Sequence, residues 1–409
     1  MVSETPFAQV KPPHSEAGCW PTAAHVLLLK AAVSVPDQGD AAWREWNRNI
    51  DIEHDQVDIG SYRLLPLVYK NLMRKRAEGP KARILESLYK RTWYENQVRF
   101  RVCADVLKAL HAVGVRTLLL KGCPLAILHY QDVASRPMSD IDLLVPKESA
   151  FQAIQVLADL GWTADGDLPV SDAILDLVPG RSFVNGDGIQ LDLHCHVLHF
   201  GLSEAITNRF WEASVPLKVN DLVTRTLCPG DQLLHVCAHG LMWNEVPPVR
   251  WIADAMMIIR SSGHSLDWNR LIAFAPDCNA GLQLHEALSY LRREFDADIP
   301  ESVIDGLHKG LSTRAQRGLF QTLTHGGRWR GARVLWYGFV LSERYAGSRR
   351  SPLAFLEYLR IVLGKEDSRQ VFRWAVGRTW SRIQAYFGAS SPDSPPFRRR
   401  SRAALSMWT

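Results

Sequence analysis

The sequence predicts an α+β protein in which a small mixed β-sheet lies between N- and C-terminal helical regions. Three observations carry this expectation. Apolar residues recur at helical spacing before residue 110 and again after Pro229. Between them stand short apolar runs bounded by glycine and proline, the pattern of buried strands. Two of those runs flank Asn185-Gly186-Asp187-Gly188, whose residues accept the backbone of a tight hairpin turn.

The elements follow in order. Residues 1–20 are polar and are expected to be disordered, without the basic start and apolar centre of a secretion signal. Residues 21–110 read as a helical region. Ala23 to Val33 is apolar and unbroken, the stretch from Ile59 is a helix interrupted by Pro66, and Leu85, Leu88, Trp93, Val98, Val102, Val106 and Leu110 lie near one helical face. Residues 111–225 read as an α/β core. Val115 to Leu120 is a strand ended by Lys121-Gly122, and Pro124 suits the first turn of a helix. Ile141 to Val145 is a second strand, closed by Pro146. Phe151, Ile154, Leu157 and Leu160 then mark a helix, and Arg181–Val184 with Ile189–Val197 form the hairpin arms. Residues 226–388 read as helical again, with Asp231 capping one helix and Trp251 to Ile259 forming another. Residues 389–409 read as a disordered basic tail.

Composition narrows the class. Among the 409 residues, 46% are apolar and 22% charged, which excludes collagen-like, coiled-coil and mostly disordered chains. No run approaches the ~18 apolar residues of a transmembrane helix. The seven cysteines are scattered and form no C-x-x-C pair, so no disulfide framework or structural zinc site is expected, and a cytoplasmic location fits. The net charge of +5 is uneven: Arg328 to Thr409 carries 16 Lys and Arg against 5 Asp and Glu. That end can attract an anion, a nucleic acid or a membrane surface, but the reading preferred is a solvated arginine-rich helical face.

One constellation carries chemistry. Alternation on a strand puts Asp140 and Asp142 on one side and Ile141 and Leu143 on the other. Paired carboxylates resist shared burial unless a cation lies between them, and Mg²⁺, a hard ion that takes oxygen ligands and phosphates, supplies that charge. Asp192 follows fifty residues after Asp142 in another alternating run and would join the pair if the two strands are neighbours. His194 and His196 share the Asp192 side of a regular strand. Lys121 and Arg136 suit phosphate contacts, and Arg136 equally suits a salt bridge to Asp140 or Asp142. Around this centre, His235 and His239 stand four apart with Val236 where a zinc hydrolase needs glutamate, so they are expected to pack or to face the cleft. Asp254 lies in an apolar helix and needs a partner, for which Arg250 and the histidines are candidates. Cys123 and Cys195 read as small buried hydrophobes.

The ordered set Lys121-Gly122, then Arg136-Pro137-Met138-Ser139-Asp140-Ile141-Asp142-Leu143-Leu144-Val145, then Asp192-Leu193-His194 resembles the nucleotidyltransferase fold superfamily, which includes DNA polymerase beta and the aminoglycoside nucleotidyltransferases. It is more closely similar to a bacterial family usually called uncharacterised nucleotidyltransferases. The resemblance spans roughly residues 20–260 and is strongest over 114–200, and it departs from better-studied members in carrying Gly122-Cys123 rather than Gly-Ser or Gly-Gly. It implies a nucleotidyltransferase core between the helical regions, with the active site where they meet. It implies catalytic Asp140, Asp142 and Asp192 holding two Mg²⁺ ions. It further implies contacts to the nucleotide from Lys121, Gly122, Arg136, Ser139 and His194. The implied reaction moves a nucleotidyl group from a nucleoside triphosphate, ATP among them, to the hydroxyl of a small molecule, peptide or protein, and pyrophosphate leaves. Two rivals stand beside it. One is a catalytically inactive scaffold that keeps the fold and binds a nucleotide or a protein. The other is a nucleic-acid-binding module acting through the basic end, for which the sequence holds no RNA- or DNA-binding motif.

Overall fold

The apolar runs pair into one sheet. The computed structural model describes residues 18–377 except 56, 74–79, 167–170, 201, 310–311, 328 and 348–349. The strands are β1 (Leu118–Leu120), β2 (Asp140–Leu144), β3 (Thr163–Ala164), β4 (Gly180–Val184), β5 (Gln190–His194), β6 (Val215–Val219) and β7 (Leu222–Thr226). Their order is β3-β4-β5-β2-β1-β7-β6. The sheet is mixed: β2 runs antiparallel to β1 and parallel to β5, and β1 runs parallel to β7. The expected hairpin is β4–β5. The β6–β7 hairpin and the short β3 were not expected. The hairpin's signal was present, since Val215, Leu217 and Val219 alternate before Asn220-Asp221, and Asn220 adopts the left-handed φ of 51° that such a turn needs.

The sheet separates two cores. Leu119, Ile141, Leu143, Leu191 and Leu193 pack against Phe100, Val106 and Leu107 of the helix Pro80–Ala112 and Leu157 of the helix Ala150–Asp159. Leu118, Leu120 and Leu144 face the other way. They join a core containing Leu28, Trp46 and Leu65 from the N-terminal helices and Leu233, Ile252 and Phe274 from the C-terminal ones. The two helical regions therefore share one interior, on the sheet face that also carries Asp140 and Asp142.

Local chemistry explains most boundaries. The first helix spans Ala23–Val33, and Thr22 and His25 close a capping box at its start. Pro66 stops one short helix, Ile59–Tyr62, from continuing and falls in the first turn of the next, Leu65–Val68. Asp231 differs from expectation. Cys228 holds the cap position of the helix Pro229–Gly240, while the buried Asp231 carboxylate takes two bonds from Arg270, at 2.9 and 2.7 Å, because a bidentate arginine is the stronger partner.

The described chain starts inside the fold. Gly18 exchanges backbone hydrogen bonds with Asn244, Cys19 is buried, and Trp20 packs on Trp251 and Tyr290. Part of the basic C-terminal region also packs. Phe339 and Tyr358, from the helices Arg330–Leu341 and Pro352–Val362, bury against Ile174, Leu177 and Val178, and Asp176 receives Lys147 and Arg344. Residues 18–20, expected to be disordered with the rest of 1–20, are ordered by the contacts of Gly18, Cys19 and Trp20, and the remainder of that stretch and residues 389–409 lie outside the described residues. Among the described residues no helix is long and apolar enough to cross a membrane. All seven cysteines are free thiols.

Candidate active site

The parallel register of β2 and β5 sets Asp142 directly beside Asp192 and Leu144 beside His194, while Ser182 of β4 lies opposite Asp192. These residues share a face, and single ligand atoms of Asp142, Asp192 and His194 all lie within 4.8 Å of one another. Asp142 is the buried centre, with a side chain 1% exposed. Its Oδ1 accepts from Lys121 Nζ at 2.8 Å, and His194 Nε2 stands 3.1 Å away. The other ring nitrogen of His194, Nδ1, is buried with no partner among the described residues.

Electrostatics drives the two carboxyls apart. Burial pushes Asp142 up, but the Lys121 ammonium and His194 outweigh it and hold the group well below the usual carboxylate range. Burial pushes Asp192 up, the Asp142 charge adds to that, and His194 and Ser182 only partly offset it. Burial alone would lower Lys121, yet Asp142, Asp140 and Asp192 keep its ammonium above its ordinary value. Lys121 turns back over Asp142 from a backbone at φ 45° and ψ −105°. A non-glycine residue pays roughly 1–3 kcal/mol for such a conformation, and strain of this kind concentrates at functional sites.

The other expected residues divide. Asp140 lies on the same strand face and lines the same cleft of about 200 Å³, as do Lys121, Gly122 and Arg136. Ser139 is not among the residues that line the cleft; its Oγ donates to Asp140 Oδ1 at 3.1 Å. Gly122 is hemmed in: a Cβ there would stand 3.1 Å from Met138 Sδ, so its small size serves packing. Arg136 pairs with neither Asp140 nor Asp142. It is 2% exposed and grips Asp254 through Nε at 2.8 Å and Nη2 at 2.9 Å, and Tyr130 donates to the same carboxylate at 2.7 Å. The partner expected for Asp254 was Arg250 or a histidine. Arg136 takes that place because its fork meets both oxygens, and Arg250 donates to Pro137 O instead. His196 lies beyond the end of β5 and is held by Thr207 and the Leu175 carbonyl.

Sequence reasoning missed part of the cleft wall. His199, Phe200, His239 and Met242 line it, and the His199 and His239 rings lie 5.2 Å apart. Both rings are pushed toward the neutral form. Burial pushes His199 down to about 3, while the Lys121 charge, reinforced by burial, holds His239 well below its ordinary value. His239 faces the cleft as expected, but nothing in the spacing marked His199 or Phe200. Gly180 was also missed. A Cβ there would stand 2.5 Å from Leu193 O and 3.0 Å from His194 Nδ1, so only glycine lets β4 press against this part of β5. Cys123 and Cys195 are buried, and burial pushes the Cys195 thiol up to about 12.

A family model described as "uncharacterised nucleotidyltransferase" matches residues 60–296, more than half of the chain. The chain belongs to this family. The matched span contains all seven strands, the Asp142–Asp192–His194 group and Arg63 to Arg270 of the surrounding helices. The solved structures similar to this chain include an antigenic nucleotidyltransferase-like protein from Paracoccidioides brasiliensis, at 13% identity and a TM-score of 0.32, covering 53% of this chain and 94% of that one. No curated protein matched the sequence. Membership of the nucleotidyltransferase family therefore rests on the sequence match.

Proposed function

We propose that this family member transfers a nucleotidyl group from a nucleoside triphosphate to an acceptor hydroxyl, in a Mg²⁺-dependent reaction that releases pyrophosphate. The observation that carries the reading is the β2–β5 register, which brings Asp142, Asp192 and His194 together under Lys121. The donor set fits a divalent cation. It offers the carboxylates of Asp142 and Asp192 and the imidazole of His194, with one ligand atom of each within 4.8 Å of the others. Asp142, Asp192 and His194 would hold one ion, and Asp140, on the same strand face, would hold a second. Bound Mg²⁺ would neutralise the phosphates and make the α-phosphorus more electrophilic.

The chain's own groups supply the rest. Lys121 keeps its proton among three carboxylates and offers a fixed positive charge to the phosphates. Asp192 would take the acceptor's hydroxyl proton on a carboxylate oxygen. The His199 and His239 rings, pushed toward the neutral form, would give the base or the acceptor an uncharged wall together with Phe200 and Met242. The acceptor can be a small molecule, a peptide or a protein, and the free cysteines suit work in the cytoplasm.

Calorimetric titration with non-hydrolysable ATP, GTP, CTP and UTP analogues, with and without Mg²⁺, tests this. Mg²⁺-dependent binding that is lost in Asp142→Asn supports it. Failure of every analogue to bind at millimolar concentration with Mg²⁺ present overturns it in favour of the inactive scaffold.

A further inference from the structure

Two arginines, Arg63 and Arg250, come near each other beside the cleft, and Arg250 lines it. Arg63 ends the short helix Ile59–Tyr62, whose cap Asp58 is fastened to His25 at 3.2 Å. Gly60 lets that helix lie close against the segment before Arg250, since a Cβ there would stand 3.1 Å from Val249 Cγ2 and 3.4 Å from Pro247 O. That packing brings the end of this helix, and with it Arg63, toward Arg250, which is the first residue of the helix Arg250–Ser262 and lines the cleft. Arg250 Nη1 is steered by the Pro137 carbonyl at 3.0 Å.

Arg136 lies alongside, but Asp254 already satisfies it. Among the described residues, neither Arg63 nor Arg250 has a carboxylate within ion-pair distance, and the Arg63 side chain makes no hydrogen bond. The nearby acids are Asp254, already held by Arg136, and Asp140, which also faces the metal-compatible group. The Arg250 charge, with burial adding to it, pushes Arg63 down to about 10, so the two cations repel each other. Two partly desolvated guanidiniums gain most from an anion that both can grip, and their planar forks match phosphate.

We infer that Arg63 and Arg250 form a clamp for a phosphate group carried into the cleft by a substrate. The inference rests on the nucleotidyl-transfer reading and extends it to residues outside the strand motif. Two sources carry this chemistry: the polyphosphate tail of the nucleotide, and a phosphate on the acceptor.

The full chain is titrated, with Mg²⁺, against inorganic tripolyphosphate and, after saturation with a non-hydrolysable ATP analogue, against phenyl phosphate. Wild type is compared with Arg63→Met, Arg63→Lys and Arg250→Met, and melting temperatures report folding. Arg63 has no hydrogen bond to lose, so its variants keep the test valid if Arg250→Met misfolds. Tripolyphosphate binding roughly tenfold or more weaker in Arg63→Met, partly restored in Arg63→Lys, supports the clamp and assigns it to the nucleotide tail. Tripolyphosphate binding unchanged but phenyl phosphate binding lost supports it and assigns it to the acceptor. Wild-type affinity of both ligands in the variants, or no phosphate binding by wild type, overturns it. The two readings separate cleanly: unaltered Mg²⁺-dependent analogue binding beside indifferent arginine variants sinks the clamp alone, whereas loss of all analogue binding by wild type sinks the transfer reaction itself.

Discussion

Asp142 is held at one oxygen by both Lys121 and His194, and that economy leaves Oδ2 for a ligand. Replacing it by Asn keeps the shape and removes the charge, so nucleotidyl transfer is expected to fall roughly 100-fold or more. Turnover within tenfold of wild type would remove Asp142 from the reaction centre. Gly180→Ala tests the opposite kind of residue, one that acts by being small. Its Cβ would meet backbone at 2.5 Å, so a loss of about 1–3 kcal/mol is expected in chemical denaturation, with β4 displaced from His194. An unchanged midpoint would show that the strand pair relaxes freely. The aspartates of this site were legible because strand alternation and chain order need no tertiary knowledge. Arg136 was less so: its charge suggested a phosphate or a nearby aspartate, and the actual partner lies 118 residues away.

Among the elements, the helix Ile59–Tyr62 bears most on the site, because it delivers Arg63 and is anchored by one carboxylate. Asp58 accepts from the Gly60 and Ser61 backbone and from Ser61 Oγ, and it faces His25. Burial pushes its carboxyl up, but His25 and Ser61 outweigh that and bring it to about 2. A depressed folded-state value means the unfolded chain binds the proton more readily. This contribution, about 2 kcal/mol, is therefore present above the unfolded value near pH 4 and lost as pH falls through about 2. Asp58→Asn is expected to lower stability at pH 7 and to flatten the acid limb between about pH 4 and pH 2. Parallel acid limbs for wild type and variant would refute the assignment. Helices and central strands were readable from periodicity and from Gly and Pro punctuation. The β6–β7 hairpin passed unnoticed because its alternation follows a helical stretch and its turn carries Asn-Asp without glycine.

For the whole molecule, the decisive contact is the Arg136–Asp254 pair, which ties the loop before β2 to the C-terminal helices deep in the protein. Asp254→Ala would strand a buried guanidinium and the Tyr130 hydroxyl, and about 3–5 kcal/mol of stability is expected to be lost. The double variant Arg136→Met/Asp254→Met, which leaves no charge behind, is expected to recover much of it. Equal melting temperatures for Asp254→Ala and wild type would show that the pair is not structural. By itself, the sequence determined the strand and helix types, the shared face of Asp140 and Asp142, and the resemblance that the family match bears out, because periodicity and motif order are local properties of the chain. Tertiary structure alone decided that Asp192 pairs with Asp142, that His194 joins them, that Asp254 claims Arg136, and that Arg63 comes near enough to Arg250 to feel its charge. Those outcomes depend on which distant segments come to share a register or a packed face, and no single stretch of chain encodes that.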